Sequence, residues 1–78
     1  MEIFAERLRL LRVKAGLSEA QLAKELGFSA SDIKNYEACK SVPKIRRVII
    51  IADFFNVTTD YLVNTKKYQQ TLKKIFRE

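Results

Sequence analysis

The chain has 78 residues, which is enough for one small domain with a single modest core. It contains one cysteine, Cys39, and no histidine, and this composition excludes an internal disulfide and a Cys/His zinc cluster, so no metal and no cofactor are predicted. A formal net charge of +6 indicates a polyanionic partner.

The expected location follows from the lack of a secretory signal and of a membrane-spanning segment in the given sequence. The first residues lack the basic and apolar regions of a secretory signal, and the longest apolar run, residues 48–52, is too short to cross a bilayer. Together with the unpaired thiol, these features predict a reducing cytoplasm and no membrane contact.

The first predicted helix runs from about Ile3 to Lys14. Its apolar residues recur at i, i+4 and i+7 and make one face: Phe4, Leu8, Leu11 and Ala15. Gly16 stands where a glycine commonly ends a helix in the left-handed conformation.

Two capping boxes predict the second and third helices. Ser18 with Gln21 begins a helix that stops at Gly27, and Ser29 with Asp32 begins another that continues to about Ala38. The apolar positions of the pair are Leu22, Ala23, Leu26, Ile33 and Tyr36. Because the link, residues 27–29, is only three residues long, the two helices must meet at a tight angle, which is typical of a helix-turn-helix unit.

Three further helices are predicted. Pro43 suits the first turn of the fourth helix, and Thr58 or Thr59 caps a short fifth helix. The inward face of the fourth helix is predicted to hold Ile45, Val48, Ile51, Ala52 and Phe55. The sixth, amphipathic helix spans about residues 66–77. The sequence therefore predicts an all-α class, a compact bundle of five short helices over residues 1–64 followed by a C-terminal helix over residues 65–78.

Charge is distributed unevenly along this helical pattern. Residues 15–39 carry two lysines against four acidic residues, whereas residues 40–47 carry four basic residues and no acidic one. The tail from Thr65 holds five basic residues and one acidic residue. A polyanion would therefore be contacted by the segments that flank the middle of the chain.

Residues 19–38 resemble the helix-turn-helix of the lambda-repressor-like family, the Cro and XRE-type regulators. The twenty-residue motif has a small residue at its fifth place and glycine at its ninth, which here are Ala23 and Gly27. Its five apolar places are filled by Leu22, Leu26, Phe28, Ile33 and Tyr36. Segments 7–18 and 51–62 look like other helices of the same family, so the resemblance covers about residues 3–63.

The resemblance implies that the third helix enters the major groove of double-stranded DNA. The base-reading residues that it implies are Ala30, Ser31, Lys34 and Asn35. The phosphate-contacting residues are predicted to be Ser18, Glu19, Ser29, Lys40, Ser41 and Lys44. Arg12 and Glu37 stand where the family places an ion pair between the first and third helices, and their role is predicted to be structural.

Two residues depart from the family pattern. Glu19 replaces the usual glutamine at the start of the second helix, where a carboxylate repels phosphate although the helix N-terminal amides remain available. Cys39 replaces the usual glycine after the third helix, at a cost of about 1 kcal/mol if the backbone is left-handed. Cys39 is otherwise predicted to be inert.

Several of these residues also have simpler interpretations. Ser29 and Asp32 are explained by capping alone, and Lys34 and Asn35 by ordinary exposure to solvent. A solubilising face is the simpler interpretation of Lys40, Lys44, Arg46 and Arg47. The stripe of the C-terminal helix consists of Tyr68, Leu72, Ile75 and Phe76. This stripe either packs back onto its own domain or pairs with a second subunit, in which case the outward-facing Ile50 would join the dimer interface.

An enzyme is the poorest functional interpretation, because the chain lacks histidine, a glycine-rich phosphate loop and a converging pair of carboxylates. The leading hypothesis is a transcriptional repressor that binds a near-palindromic operator as a homodimer, with half-sites roughly 34 Å apart. One alternative keeps the fold as a protein-interaction module, an antitoxin-like or antirepressor partner with weak DNA binding, which Glu19 favours. Another is a transcriptional activator or controller. No small-molecule ligand is predicted.

Overall fold

The structure of the protein is a computed structural model that describes residues 2–63. Within these residues it contains α1 (Glu2–Lys14), α2 (Glu19–Leu26), α3 (Ala30–Glu37), α4 (Ile45–Phe55) and α5 (Thr59–Val63). All the regular secondary structure in this range is helical, which confirms the predicted all-α class and the first five helices. The predicted C-terminal helix lies outside the described residues, and the division at residue 64 stays a prediction.

Both predicted capping boxes are present. At the start of α2, the Ser18 hydroxyl accepts a hydrogen bond from the Gln21 backbone N–H at 3.0 Å, and the Gln21 side chain accepts one from the Ser18 N–H at 2.8 Å. The same reciprocal pair joins Ser29 and Asp32 at 3.0 and 3.4 Å. These bonds satisfy backbone donors that the first turn of each helix leaves unpaired.

The link between α2 and α3 is short because Gly27 adopts the left-handed conformation, with φ of 76°. The Gly27 N–H donates to the Lys24 carbonyl, and the Phe28 N–H donates to the Ala23 carbonyl at 2.8 Å. These bonds end α2 and turn the chain directly into α3. Cys39, after α3, also has a positive φ, 61°, so it occupies the conformation that a glycine would hold without strain.

The core lies between all five helices. Its buried residues are Phe4, Leu8, Leu22, Ala23, Ile33, Tyr36, Val48, Ile51, Ala52, Leu62 and Val63. Phe4 and Tyr36 meet edge to face, with ring centroids 5.9 Å apart, and thereby join α1 to α3. Arg7 of α1 joins α5, because its guanidinium lies over the Tyr61 ring at 4.5 Å and donates to the Tyr61 carbonyl.

Two details of the predicted helices are wrong. Ala15 is exposed and not part of the apolar face of α1, because the helix ends at Lys14 and Ala15 lies in the turn that follows. Pro43 is not in the first turn of α4. Lys44 is extended, with ψ of 157°, and its carbonyl accepts the first hydrogen bonds from Arg47 and Val48, so the helix begins only at Ile45.

The remaining predictions for α4 and α5 agree with the structure. Val48, Ile51 and Ala52 are buried, and Ile45 and Phe55 are half-buried against the core. Of the two possible caps of α5 it is Thr58 that accepts a hydrogen bond, from the Tyr61 N–H at 3.0 Å. No helix in the described range has the length and apolar character that a membrane span requires.

Candidate nucleic-acid interface

The third helix turns one face into the core and the other to solvent. Ile33 and Tyr36 are buried, whereas Ala30, Ser31 and Lys34 are exposed. Asn35 is half-buried, and its backbone carbonyl accepts a hydrogen bond from the Lys40 N–H at 2.9 Å. The four predicted base-reading residues therefore lie within about one and a half turns of α3, with three of them on the side that the core leaves uncovered.

The start of α2 borders this face. Glu19 and Ala20 line a shallow groove together with Ala30, Ser31 and Lys34. An adjoining groove extends from Glu19 and Lys34 toward α1, where it reaches Ser18, Arg9 and Arg12. Ser18 and Glu19 thus lie beside the predicted base readers.

Arg9 is a residue of this surface that the sequence analysis missed. It is exposed and lines the same groove as Arg12, one helical turn farther along α1. The i, i+3 spacing between Arg9 and the predicted ion-pair residue Arg12 is the signal that would have indicated it. Arg9 adds a positive charge beside the half-buried Glu19.

Three other predicted phosphate contacts lie in the link between α3 and α4. Lys40, Ser41 and Lys44 are exposed, and Ser41 and Lys44 line a groove with Asp32 and Arg47. Ser29 is exposed at the start of α3, where its hydroxyl already accepts the capping hydrogen bond. The predicted phosphate contacts therefore flank the exposed face of α3 in two groups.

Arg12 and Glu37 form a two-point ion pair between α1 and the last residue of α3. The Arg12 Nε donates to Glu37 Oε2 at 2.6 Å, and its Nη2 donates to Oε1 at 2.9 Å. A third hydrogen bond, 2.8 Å long, runs from Nη1 to the Leu17 carbonyl. The side chains are only 14% and 6% exposed, and the bond to Glu37 raises the pKa of Arg12 above its ordinary value. The pair fixes the C-terminal end of α3 against α1.

Arg47 makes a second connection to α3, which the sequence analysis attributed only to solubility. Its Nη1 donates to Asp32 Oδ2 at 2.8 Å and to the Tyr36 hydroxyl at 2.9 Å. Its guanidinium lies over the Phe28 ring, 4.2 Å from the centroid. The hydrogen bond from Arg47 lowers the pKa of Asp32, and the same bond raises the pKa of Arg47.

Away from α3, the outer face of α4 carries apolar side chains. Ile50 is 44% exposed and Phe54 is 40% exposed, and the i, i+4 spacing places them on one face. Ile50 is therefore exposed as the helix pattern predicted. The other residues predicted for the dimer interface, Tyr68, Leu72, Ile75 and Phe76, lie outside the described residues. Among the described residues, no cluster of side chains suited to a metal ion is found.

Two helices joined by a three-residue turn, with an exposed polar face on the second, define the class of helix-turn-helix proteins. The family described as "Helix-turn-helix domain" matches residues 5–67. The chain therefore belongs to this family, of the XRE type, as the resemblance over residues 3–63 implied.

Similar proteins carry regulatory names. The chain is 33% identical over 61 residues to the HTH-type transcriptional regulator YobD of Bacillus subtilis, covering 78% of this chain and 54% of that protein. It is 32% identical over 81 residues to the HTH-type transcriptional activator BcrR of Enterococcus faecalis, covering 94% of this chain and 40% of that protein. The chain thus spans about half the length of these relatives or less.

A solved structure shares the fold. The solution structure of the SOS-response transcriptional repressor LexA from Eubacterium rectale superimposes with a TM-score of 0.75 at 28% sequence identity. The match covers 83% of this chain and 69% of that one. The arrangement of the helices is therefore that of a helix-turn-helix repressor structure.

Proposed function

We propose that the chain is the DNA-binding part of a sequence-specific transcriptional regulator that inserts α3 into the major groove. The observation that carries this proposal is the exposed face of α3, where Ala30, Ser31 and Lys34 lie beside the capped N-terminus of α2. An α-helix fits the major groove of B-DNA, where each base pair presents a distinct pattern of donors and acceptors. A cytoplasmic location follows from this partner.

Each residue of the face has a chemically suitable target. Lys34 donates to the O6 and N7 acceptors of guanine, and the side-chain amide of the half-buried Asn35 pairs with the N6 and N7 atoms of adenine. The Ala30 methyl group contacts the methyl group of thymine, and the Ser31 hydroxyl donates to or accepts from a base edge. These four residues are proposed to determine which sequence is bound.

Phosphate contacts are proposed to fix the register on both sides of this face. Ser18 and Ser29 lie at helix N-termini, where backbone N–H groups and the helix dipole attract anions. Lys40, Ser41 and Lys44 contact the backbone on the other side. The carboxylate of Glu19 repels a phosphate at the start of α2, so it weakens the proposed contact there.

The regulator is proposed to act as a homodimer. Ile50 and Phe54 form an exposed apolar pair on α4, and covering such a pair is favourable when two subunits meet. Two copies related by a two-fold axis would present two α3 helices to half-sites about one turn of DNA apart, roughly 34 Å. Occupancy of such a near-palindromic operator blocks polymerase, which is repression.

Activation is a second proposed outcome of the same DNA contact, because the similar BcrR is named an activator. A reporter assay separates the two outcomes. A site overlapping the promoter should lower transcription, as repression requires. A regulator that activates would instead raise transcription from a site placed upstream of the promoter, where occupancy alone has no effect on polymerase.

The proposal is tested by selecting duplexes from a randomised library with the purified protein, followed by a salt titration of the enriched duplex. A near-palindromic site whose affinity falls with salt in proportion to the number of neutralised phosphates supports the proposal. Binding with no enrichment, or with equal affinity for every sequence, contradicts it and favours a protein-interaction module.

A further inference from the structure

Arg47 is placed to control the orientation of α3 although it belongs to α4. Its three partners belong to different parts of the helix-turn-helix: Phe28 lies in the link, Asp32 in the first turn of α3, and Tyr36 in its last turn. One side chain therefore joins the turn and both halves of α3 to the first turn of α4.

Arg47 complements the ion pair at the other end of α3. Arg12 holds Glu37, the last residue of the helix, whereas Arg47 holds Asp32, its third residue. Two arginines from two different helices thus fix α3 near its two ends. These two contacts add to the buried packing of Ile33 and Tyr36, and that of Arg47 acts on the N-terminal half of the helix.

We propose that Arg47 is a positioning residue that sets the angle at which the N-terminal half of α3 meets the bases, and so contributes to sequence specificity without contacting a base. This inference rests on the proposed function. Misplacement by about 1 Å is enough to break hydrogen bonds that depend on donor–acceptor distance and angle. Ala30 and Ser31, in the same first turn as Asp32, are the residues whose base contacts depend most on Arg47.

The geometry favours a positioning role over a phosphate contact. The Arg47 Nη1 donates both hydrogen bonds and the guanidinium lies over the Phe28 ring, so contacts within the protein orient a side chain that is 37% exposed. Its charge also neutralises Asp32, which would otherwise present an unpaired carboxylate to phosphates at the start of the recognition helix. Lysine can replace the charge but not the stacked, two-acceptor geometry.

The test uses a duplex enriched by the unmodified protein, its single-base variants and an unrelated duplex. Arg47→Gln should lower the ratio of specific to non-specific affinity about tenfold, flattening preference at the base positions nearest Ala30 and Ser31. Asp32→Asn should move the same positions by a smaller factor, and Arg47→Lys should recover only part of the loss. Arg46→Gln, which removes an exposed arginine next in sequence, is the matched control and should leave base preference unchanged.

Two results would overturn the inference. A salt slope lowered by about 1 in Arg47→Gln, with base preference retained, would make Arg47 a phosphate contact. Unchanged base preference with a lowered melting temperature would reduce Arg47 to a stabilising residue.

A second measurement tests the positioning without DNA and so separates this inference from the proposed function. Amide hydrogen exchange in Arg47→Gln should accelerate at Ile33 and Lys34, in the N-terminal half of α3, and stay unchanged at Ala38 beside the Arg12 ion pair. Equal exchange at both ends in the variant and the unmodified protein would overturn the positioning role. Failure of the unmodified protein to enrich any duplex would instead reject the proposed function.

Discussion

Removing Arg12 should destabilise the protein more than any other single surface substitution in α1. Arg12→Met keeps the length of the side chain but deletes both bonds to Glu37 and the bond to the Leu17 carbonyl. Glu37, only 6% exposed, is left as a carboxylate without its partner. Breaking a fully buried ion pair in this way costs about 3–5 kcal/mol, and the Arg12–Glu37 pair is partly buried.

The lower end of that range applies here, because the Arg12 side is 14% exposed and water can enter where the guanidinium was. We therefore expect Arg12→Met to lower the free energy of unfolding by about 3 kcal/mol. A chain of 78 residues has a total stability of only about 4–12 kcal/mol at the usual value per residue. The substitution should therefore remove roughly a quarter to three-quarters of the total stability.

Urea denaturation measures this loss of stability. Unfolding can be followed by circular dichroism at about 222 nm, because the described residues form five helices. With a slope near 1 kcal/mol per molar urea, a loss of 3 kcal/mol moves the midpoint down by about 3 M. Arg46→Met, at an exposed position of α4, is the matched control and should stay within about 0.5 kcal/mol of the unmodified protein.

A double-mutant cycle identifies the buried charge as the cause. Arg12→Met combined with Glu37→Leu removes both charges, so the double variant should be more stable than Arg12→Met alone. Losses that simply add, or a loss below about 1 kcal/mol for Arg12→Met, would refute the argument that Glu37 is left buried and unpaired.

Four further predictions concern single residues. Cys39→Gly should raise the melting temperature by about 2–8 °C, because the left-handed cost exceeds the added chain entropy of glycine; an unchanged temperature would contradict the strain. The pKa of Asp32 is lowered, so its stabilising contribution is present above the ordinary value of 3.8 and is lost as the pH falls through the lowered pKa. The stability advantage over Asp32→Asn in urea titrations should therefore shrink below pH 3.8, and a constant difference would contradict the ion pair. Glu19→Gln should tighten DNA binding about 3- to 10-fold at 0.1 M salt by removing a charge near phosphate, whereas weaker binding would assign Glu19 a productive contact. Ile50→Glu should halve the mass measured by light scattering, and a dimer that persists would exclude Ile50 from the interface.

Local signals in the sequence predicted most of this fold. The capping boxes at Ser18 and Ser29 and the glycine at position 27 act within four residues, so their effect is readable without knowing the tertiary structure. The prediction that Pro43 lies in the first turn of α4 was wrong, because the preference of proline for that turn is only statistical. Lys44 is extended and forms the N-cap, so α4 begins at Ile45, two residues after Pro43.

The candidate interface was predictable only in part. Arg12 and Glu37 could be paired because the family resemblance relates positions 25 residues apart. Arg47 lies 15 residues from Asp32 and 11 from Tyr36, and nothing in a helical repeat reveals which distant residues a half-buried arginine will meet. Arg9 was indicated by its i, i+3 spacing to Arg12, but its position in one groove with Glu19 depends on the tertiary arrangement of the helices. The helices could thus be predicted from the sequence, whereas most side-chain contacts between them could not.

We propose above all that α3 contacts DNA through its exposed N-terminal half. Nuclear magnetic resonance of the labelled protein, titrated with the enriched duplex, tests it directly by reporting which backbone amides change. We predict that the largest changes fall on Ala30, Ser31 and Lys34, with smaller ones at Lys40 and Lys44. Unchanged α3 amide signals, with the changes confined to the Ile50 and Phe54 face of α4, would show that α3 does not bind the DNA.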